Sequence, residues 1–197
     1  MHIKYPFPHA NAYLILTYDS DSLENLEYNI ERARAVADKN DIIGFKVLID
    51  KKEESDVWAV RGSLLDAVEV NSQSEPLDIV VPINKITDFI EYIQDLEEVT
   101  KVKMIAFGHA GDGNVHLCVL REDRTEEEWK GDLESVLTRI YNKSQSLGGL
   151  PSGEHGIGIY KKKYFKSVTD DVNIELMKEI KTVFDPKKIL NPDKVFS

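Results

Sequence analysis

Three histidines and one glutamate, held in two glycine-rich stretches, are the residues of this sequence whose types could do chemistry together. Residues 107–117 (FGHAGDGNVHL) place His109 and His116 seven positions apart, on either side of a turn containing Gly111, Asp112, Gly113 and Asn114. Residues 152–158 (SGEHGIG) set His155 beside Glu154. Imidazole nitrogens are ligands for divalent transition metals, and two imidazoles with one carboxylate leave a coordination position open, as catalytic metals need. A hairpin over 107–117 makes His109 and His116 a near-facing cross-strand pair, with Cβ atoms about 4.5–5.5 Å apart. Both can then chelate one ion. A carboxylate from elsewhere would complete the site, and Glu154 is the candidate because it lies in the other glycine-rich loop; His155 is then left free beside the metal as a general base. Histidines that flank a turn are also common as hydrogen-bonded turn residues. Chemistry is favoured because three of the five histidines fall inside glycine-rich loops, where backbone and ligand can approach closely. Asp112 reads as a turn residue or a supporting group rather than a ligand. Neither loop is a nucleotide-phosphate motif: both run GxxGxG, and no GK[ST] is present.

The elements that must position these residues alternate between helix and strand. Residues 12–18 (AYLILTY) and 45–49 read as short strands. Between them, Leu23, Leu26, Ile30, Ala33 and Ala37 share a helical face, opened by a capping box of Asp21 with Glu24. Residues 52–70 read as one helix, with Arg61 three positions after Trp58 and therefore on the same side; taken alone, that arginine is a surface residue stacked on tryptophan. Residues 71–76 read as a loop. Residues 78–82 (DIVVP) form a short strand ended by Pro82, and Asn84 caps a helix with an Ile86, Phe89, Ile90, Ile93 stripe. The strands at 101–109 and 115–120 make the hairpin. Thr125 and Glu128 form a capping box for a long amphipathic helix that Gly148 and Gly149 stop. A last helix covers about residues 170–184. Because one strand pair is a hairpin, the expected class is α+β with a mostly antiparallel sheet covered by helices, not a doubly wound parallel sheet.

Composition narrows the function classes. With 35 acidic against 25 basic side chains the net charge is −10, the wrong sign for sequence-independent nucleic-acid binding. The run Lys161, Lys162, Lys163 reads as a solvated helix end. A single cysteine, Cys118, excludes an internal disulfide and a cysteine-rich zinc knuckle. No apolar run approaches the roughly 18 residues of a membrane span. No charged-then-apolar leader opens the chain, so a cytoplasmic, organelle-matrix or membrane-peripheral location is expected.

Taken together and in order, FGHAGDGNVHL, SGEHGIG and the tail FDPKKILNPDKVF resemble the C-terminal substrate domain of the FAD-linked 2-hydroxyacid dehydrogenases. That family includes glycolate oxidase D subunits, D-lactate dehydrogenases and D-2-hydroxyglutarate dehydrogenases. The resemblance runs from about residue 13 to the C-terminus. Residues 1–11, with Pro6 and Pro8, read as an irregular lead-in. The resemblance implies a substrate domain over 12–197 with ferredoxin-like elements, and a preceding FAD-binding domain or subunit that these residues do not contain. It implies that His109, His116 and Glu154 bind a divalent metal, usually zinc, that His155 is the base at the substrate hydroxyl, and that Arg61 holds the substrate carboxylate. Residues 191–194 resemble the family's return segment toward the flavin domain. In 2-hydroxyglutarate-type members polar residues hold a distal carboxylate. Here those positions are Leu65, Pro76 and Cys118, so a small monocarboxylate such as D-lactate or glycolate is expected, with D-2-hydroxyglutarate as the alternative. Without its flavin half the chain is expected to be redox-inactive, to expose an apolar patch and to self-associate as a homo-oligomer. Two other classes stay open: a stand-alone metallohydrolase using the same His/His/Glu set, and a non-catalytic binding module that keeps the metal site.

Overall fold

The computed structural model describes residues 9–196. The expected lead-in lies outside them apart from residues 9–11, where His9 is exposed. The chain falls into two compact units, one ending at Asp66 and the other starting at Ala67.

The first unit contains helix α1 (Leu23–Ala37) and helix α2 (Lys51–Gly62). Ser22, not Asp21, caps α1: its hydroxyl oxygen accepts from the Asn25 N–H. Asp50 caps α2 through the N–H groups of Lys52 and Glu53. The strands expected at 12–18 and 45–49 do not form. Neither segment joins a ladder. β-branched and aromatic residues favour extended backbone only when a neighbouring strand supplies hydrogen bonds and a surface to pack on. The single helix expected over 52–70 is broken after Gly62. There the Ser63 hydroxyl donates back to the Ala59 carbonyl, and α3 (Leu64–Asn71) starts anew.

The second unit is built on three antiparallel strands, β1 (Ser74–Val80), β2 (Met104–His109) and β3 (Asn114–Leu120), in the order β1-β3-β2. Strand β1 starts earlier than expected and passes through Pro76, which an edge strand tolerates because a missing N–H there costs little. It also ends earlier, at Val80. Pro82 then leads into a 3-10 turn over Ile83–Lys85, so Asn84 lies inside that turn and caps nothing; α4 (Ile86–Thr100) begins without a side-chain cap.

Alternation along the strands gives the sheet two different faces. Leu77, Ile79, Val115, Leu117 and Val119 point to one side and pack on Phe89, Ile93 and Leu96 of α4 and on Trp129, Val136 and Ile140 of α5 (Glu126–Ser146). Each fully buried side chain of this kind contributes about 1.5–3 kcal/mol. This layer is why α5 is long, and its start is fixed by the expected Thr125–Glu128 capping box. Its end is fixed by Gly148, which takes a left-handed φ of +83°. On the other side, Cys118 and Leu120 pack on Val68 of α3, and the same face continues to Asp78, Phe107, His109, Asn114 and His116. Helices α6 (Lys162–Val168) and α7 (Asp171–Phe184) follow. Tyr164 of α6 stacks on Tyr141 of α5. On α7, Val172, Leu176, Ile180 and Val183 share a helical face and all are exposed. Among the described residues no helix is long and apolar enough to cross a membrane.

Candidate functional site

The β2–β3 connection is tighter than a six-residue loop. A 3-10 turn over Ala110–Asp112 and Gly113 make the whole reversal, and Asn114 already belongs to β3. Gly113 is required there. Its φ is +73°, and a Cβ would lie 2.0 Å from the Val81 carbonyl oxygen, while the Val81 N–H donates to the Gly113 carbonyl at 2.9 Å. The register pairs His109 with Asn114 and His116 with Phe107. The two histidines are therefore diagonal neighbours on one face, not a facing pair. Their rings still meet, with centroids 5.4 Å apart and nearly perpendicular, because diagonal positions remain within reach of long side chains.

The second loop is brought to this face by β1. Leu150 forms a bridge with Val80, and Gly149 permits the approach, since a Cβ there would come within 2.4 Å of the Val80 carbonyl oxygen. The chain then folds over Asp78, which is 1 % exposed. One carboxylate oxygen, Asp78 Oδ2, accepts from the Ser152 hydroxyl at 2.8 Å and from the N–H groups of Gly153, Glu154 and His155 at 3.1, 3.0 and 2.8 Å. The Lys161 ammonium lies 3.4 Å from the same oxygen. Burial alone would push the Asp78 carboxyl up. The His155 and Glu154 N–H groups, the Ser152 hydroxyl and Lys161 outweigh it and hold the group well below the usual carboxylate range. Lys161 is thus not the solvated helix end expected from its lysine run; its side chain is largely buried against Asp78.

Clamped in this way, the loop aims Glu154 at the histidines. Glu154 Oε1 lies 2.9 Å from His116 Nε2 and 3.8 Å from both His109 Nε2 and His155 Nε2. Asn114 Nδ2 donates to the same oxygen at 3.2 Å. The His155 ring stacks on His116 at 5.3 Å with 14° between planes. Burial lowers the His116 pKa from its ordinary value, opposed by the charges of Glu154 and Asp78. A neutral imidazole is the form that binds metal.

The donor set fits a divalent ion. Ligand atoms about 2.0–2.2 Å from a tetrahedral zinc lie about 3.3 Å from one another, and the separations of Glu154 Oε1 from His116 Nε2 and His109 Nε2, 2.9 and 3.8 Å, bracket that value. A second candidate set, Asp78, His116, Glu154 and His155, offers atoms within 4.8 Å of one another and does not include His109. Asp78 Oδ2 is already saturated by the loop, and only its Oδ1, which makes no hydrogen bond among the described residues, could reach an ion.

Of the residues singled out from the sequence, His109, His116, Glu154 and His155 come together. Arg61 lies near the end of α2 in the first unit, half-buried, with Trp58 exposed. The motifs did not point to Asp78, Ser152, Lys161 or Asn114 as parts of the site. A signal for Asp78 was available: it is the one charged residue in the otherwise apolar stretch LDIVV over 77–81.

Comparison with known proteins shows the family of the chain. The family described as FAD linked oxidases, C-terminal domain, matches residues 2–195. A D-lactate dehydrogenase of Anaerostipes hadrus is 40 % identical over 185 residues, covering 93 % of this chain and 39 % of that protein. Glycolate oxidase subunit GlcD of Bacillus subtilis is 31 % identical over 95 % of this chain and 40 % of its own length. A D-2-hydroxyglutarate dehydrogenase of Stutzerimonas stutzeri is 27 % identical over 94 % of this chain and 40 % of its own length. The chain thus spans about two-fifths of the length of these curated relatives. With the family matched almost end to end, and with the two glycine-rich motifs meeting at one site, this chain belongs to the FAD-linked oxidases as their C-terminal domain.

Proposed function

We propose that this chain is the substrate-handling part of an FAD-dependent dehydrogenase that oxidises a small D-2-hydroxyacid, D-lactate or glycolate, to the 2-oxoacid. The observation that carries the reading is the single Glu154 oxygen within 2.9–3.8 Å of three imidazole nitrogens. His109, His116 and Glu154 would hold the metal, zinc by preference. That choice leaves Asp78 to its loop contacts and leaves His155, the most exposed of the three imidazoles, free to act. When bound, the ion supplies polarisation of the substrate hydroxyl and FAD, carried on a partner domain or subunit, supplies the hydride acceptor. His155 Nε2 takes the hydroxyl proton, and stacking on His116 fixes the ring that receives it. Arg61 receives the substrate carboxylate, which a guanidinium fork can hold through two parallel hydrogen bonds.

The substrate size rests on three positions. Leu65 offers no polar atom, Pro76 has no backbone N–H, and Cys118 is buried against Val68 and Leu120. None suits a second carboxylate. The exposed stripe on α7 supports a further protein surface as partner.

The test is elemental analysis of the zinc-treated chain and of a His109→Ala/His116→Ala variant, followed by D-lactate binding to wild type and to Arg61→Ala. One divalent ion per chain, lost in the double variant, with lactate binding that needs Arg61, is the expected result. Zinc retained by the double variant would sink the assigned ligand set. Hydrolysis of simple esters by the zinc-loaded chain alone would replace this reading with a metallohydrolase, and tighter binding of D-2-hydroxyglutarate than of lactate would overturn the substrate size.

A further inference from the structure

We infer that Asp78 is the positioning residue that ties the two halves of this site together, clamping the loop over 152–155 with one oxygen and orienting His116 with the other. The first half of this role stands on the four hydrogen bonds to Oδ2 from the Ser152 hydroxyl and three consecutive backbone N–H groups. The second stands on Oδ1. That oxygen is buried and makes no hydrogen bond among the described residues. It faces His116 Nδ1 at 4.0 Å, and a ring shift of about 1 Å brings the two into hydrogen-bond range. The sheet makes the arrangement possible, because Asp78 and His116 are paired across β1 and β3.

An acceptor beside Nδ1 favours the imidazole tautomer that carries its hydrogen there and leaves the Nε2 lone pair for a cation, whereas without a cation Glu154 Oε1, 2.9 Å from Nε2, competes by favouring Nε2–H. Buried, unpartnered carboxylate oxygens are costly. An aspartate that served only as a loop cap would turn both oxygens to the loop, as its five donors there would allow. Withholding one oxygen toward the histidine is what marks a second task. Lys161 neutralises the charge from the loop side, so Oδ1 can face an imidazole without leaving the pair of elements net negative. The consequence for metal affinity rests on the ligand set proposed above; the clamp and the tautomer do not.

The test uses the metal-free chain first, with Glu154→Ala removing the competing acceptor at Nε2. At pH 8, nitrogen-15 spectra of His116 in the Glu154→Ala chain should show the Nδ1–H tautomer, and amides 153–155 of the wild type should exchange slowly with deuterium. Adding Asp78→Asn to Glu154→Ala should populate the second tautomer; Asp78→Asn alone should speed exchange at those amides and weaken zinc binding, read by chelator competition, by about 10- to 100-fold. Ser152→Ala, which removes one clamp bond and keeps the charge, should speed exchange at 153–155, and combined with Glu154→Ala should leave the His116 tautomer as in Glu154→Ala alone. An Nε2–H tautomer in the Glu154→Ala chain overturns the orienting role, and unchanged exchange in both Asp78→Asn and Ser152→Ala overturns the clamp. If Asp78→Asn does not fold, the Glu154→Ala tautomer and the Ser152→Ala exchange still test both halves of the role. If the wild type binds no zinc, the ligand set falls, while the tautomer and the exchange rates of the metal-free chains still support or overturn the role of Asp78.

Discussion

The loop over 152–155 and the tail after α7 are each gathered by one buried aspartate, yet the two aspartates are used differently. Asp185, 3 % exposed at the end of α7, commits both oxygens nearby. Oδ1 accepts from the Ile189 N–H, while Oδ2 accepts from the Leu190 N–H and from the Lys181 ammonium. Every partner lies within five residues. Asp78 commits only Oδ2 to its loop, and does so across 74 to 77 residues. A carboxylate saturated by its own neighbours ends a helix and shapes a turn. A carboxylate that reaches across the chain and keeps an oxygen back brings two separate elements to one place. Both have a lysine and both sit below the usual carboxylate range. Charge and burial alone would not tell them apart; the unused oxygen does.

Substitutions can break or sharpen this contrast. The largest effect is expected from Asp78→Ala, which leaves the largely buried Lys161 unpaired and should cost about 3–5 kcal/mol in urea unfolding. Adding Lys161→Met to Asp78→Asn should recover part of the stability lost by the single variant without restoring zinc affinity; full restoration of both would reduce Asp78 to half of an ion pair. Thr125→Ala removes the capping box of α5, on the opposite side of the sheet, and should lower stability by about 1 kcal/mol, with zinc affinity unchanged. Asp185→Asn should speed deuterium exchange at residues 189 and 190 alone. Its zinc affinity should match wild type, and a tenfold loss there would erase the distinction drawn between the two aspartates.

What the sequence made legible was local. Glycine and histidine clusters, the Thr125–Glu128 box and the periodicity of α4, α5 and α7 are short-range signals, and the elements they announce are present. The meeting of SGEHGIG with FGHAGDGNVHL could be argued only from their shared glycine-rich character and ligand chemistry and from analogy, since no local rule connects residues so far apart. Asp78 looks like no more than the first residue of a strand and Lys161 like one of three surface lysines, because each takes its meaning from a partner in another element. The segments at 12–18 and 45–49 failed for the converse reason. Their residue types suit a strand, but a strand exists only with a neighbour, and residue type does not supply one.

The reach of the Asp78 clamp also sets the order in which this site is made. Closing a loop of about 75 residues carries an entropic cost on the order of 4 kcal/mol by a (3/2)RT ln n scaling. The hairpin joining His109 to His116 closes a far shorter one. On that ground the two histidines are expected to meet early in folding, and Glu154 to join them only when the chain has collapsed around β1. Zinc would then meet a finished socket instead of recruiting its ligands from a disordered chain, as it does in small zinc-dependent domains. Such an ion acts on the exit from the native state: added zinc should slow unfolding and leave the refolding rate where it was.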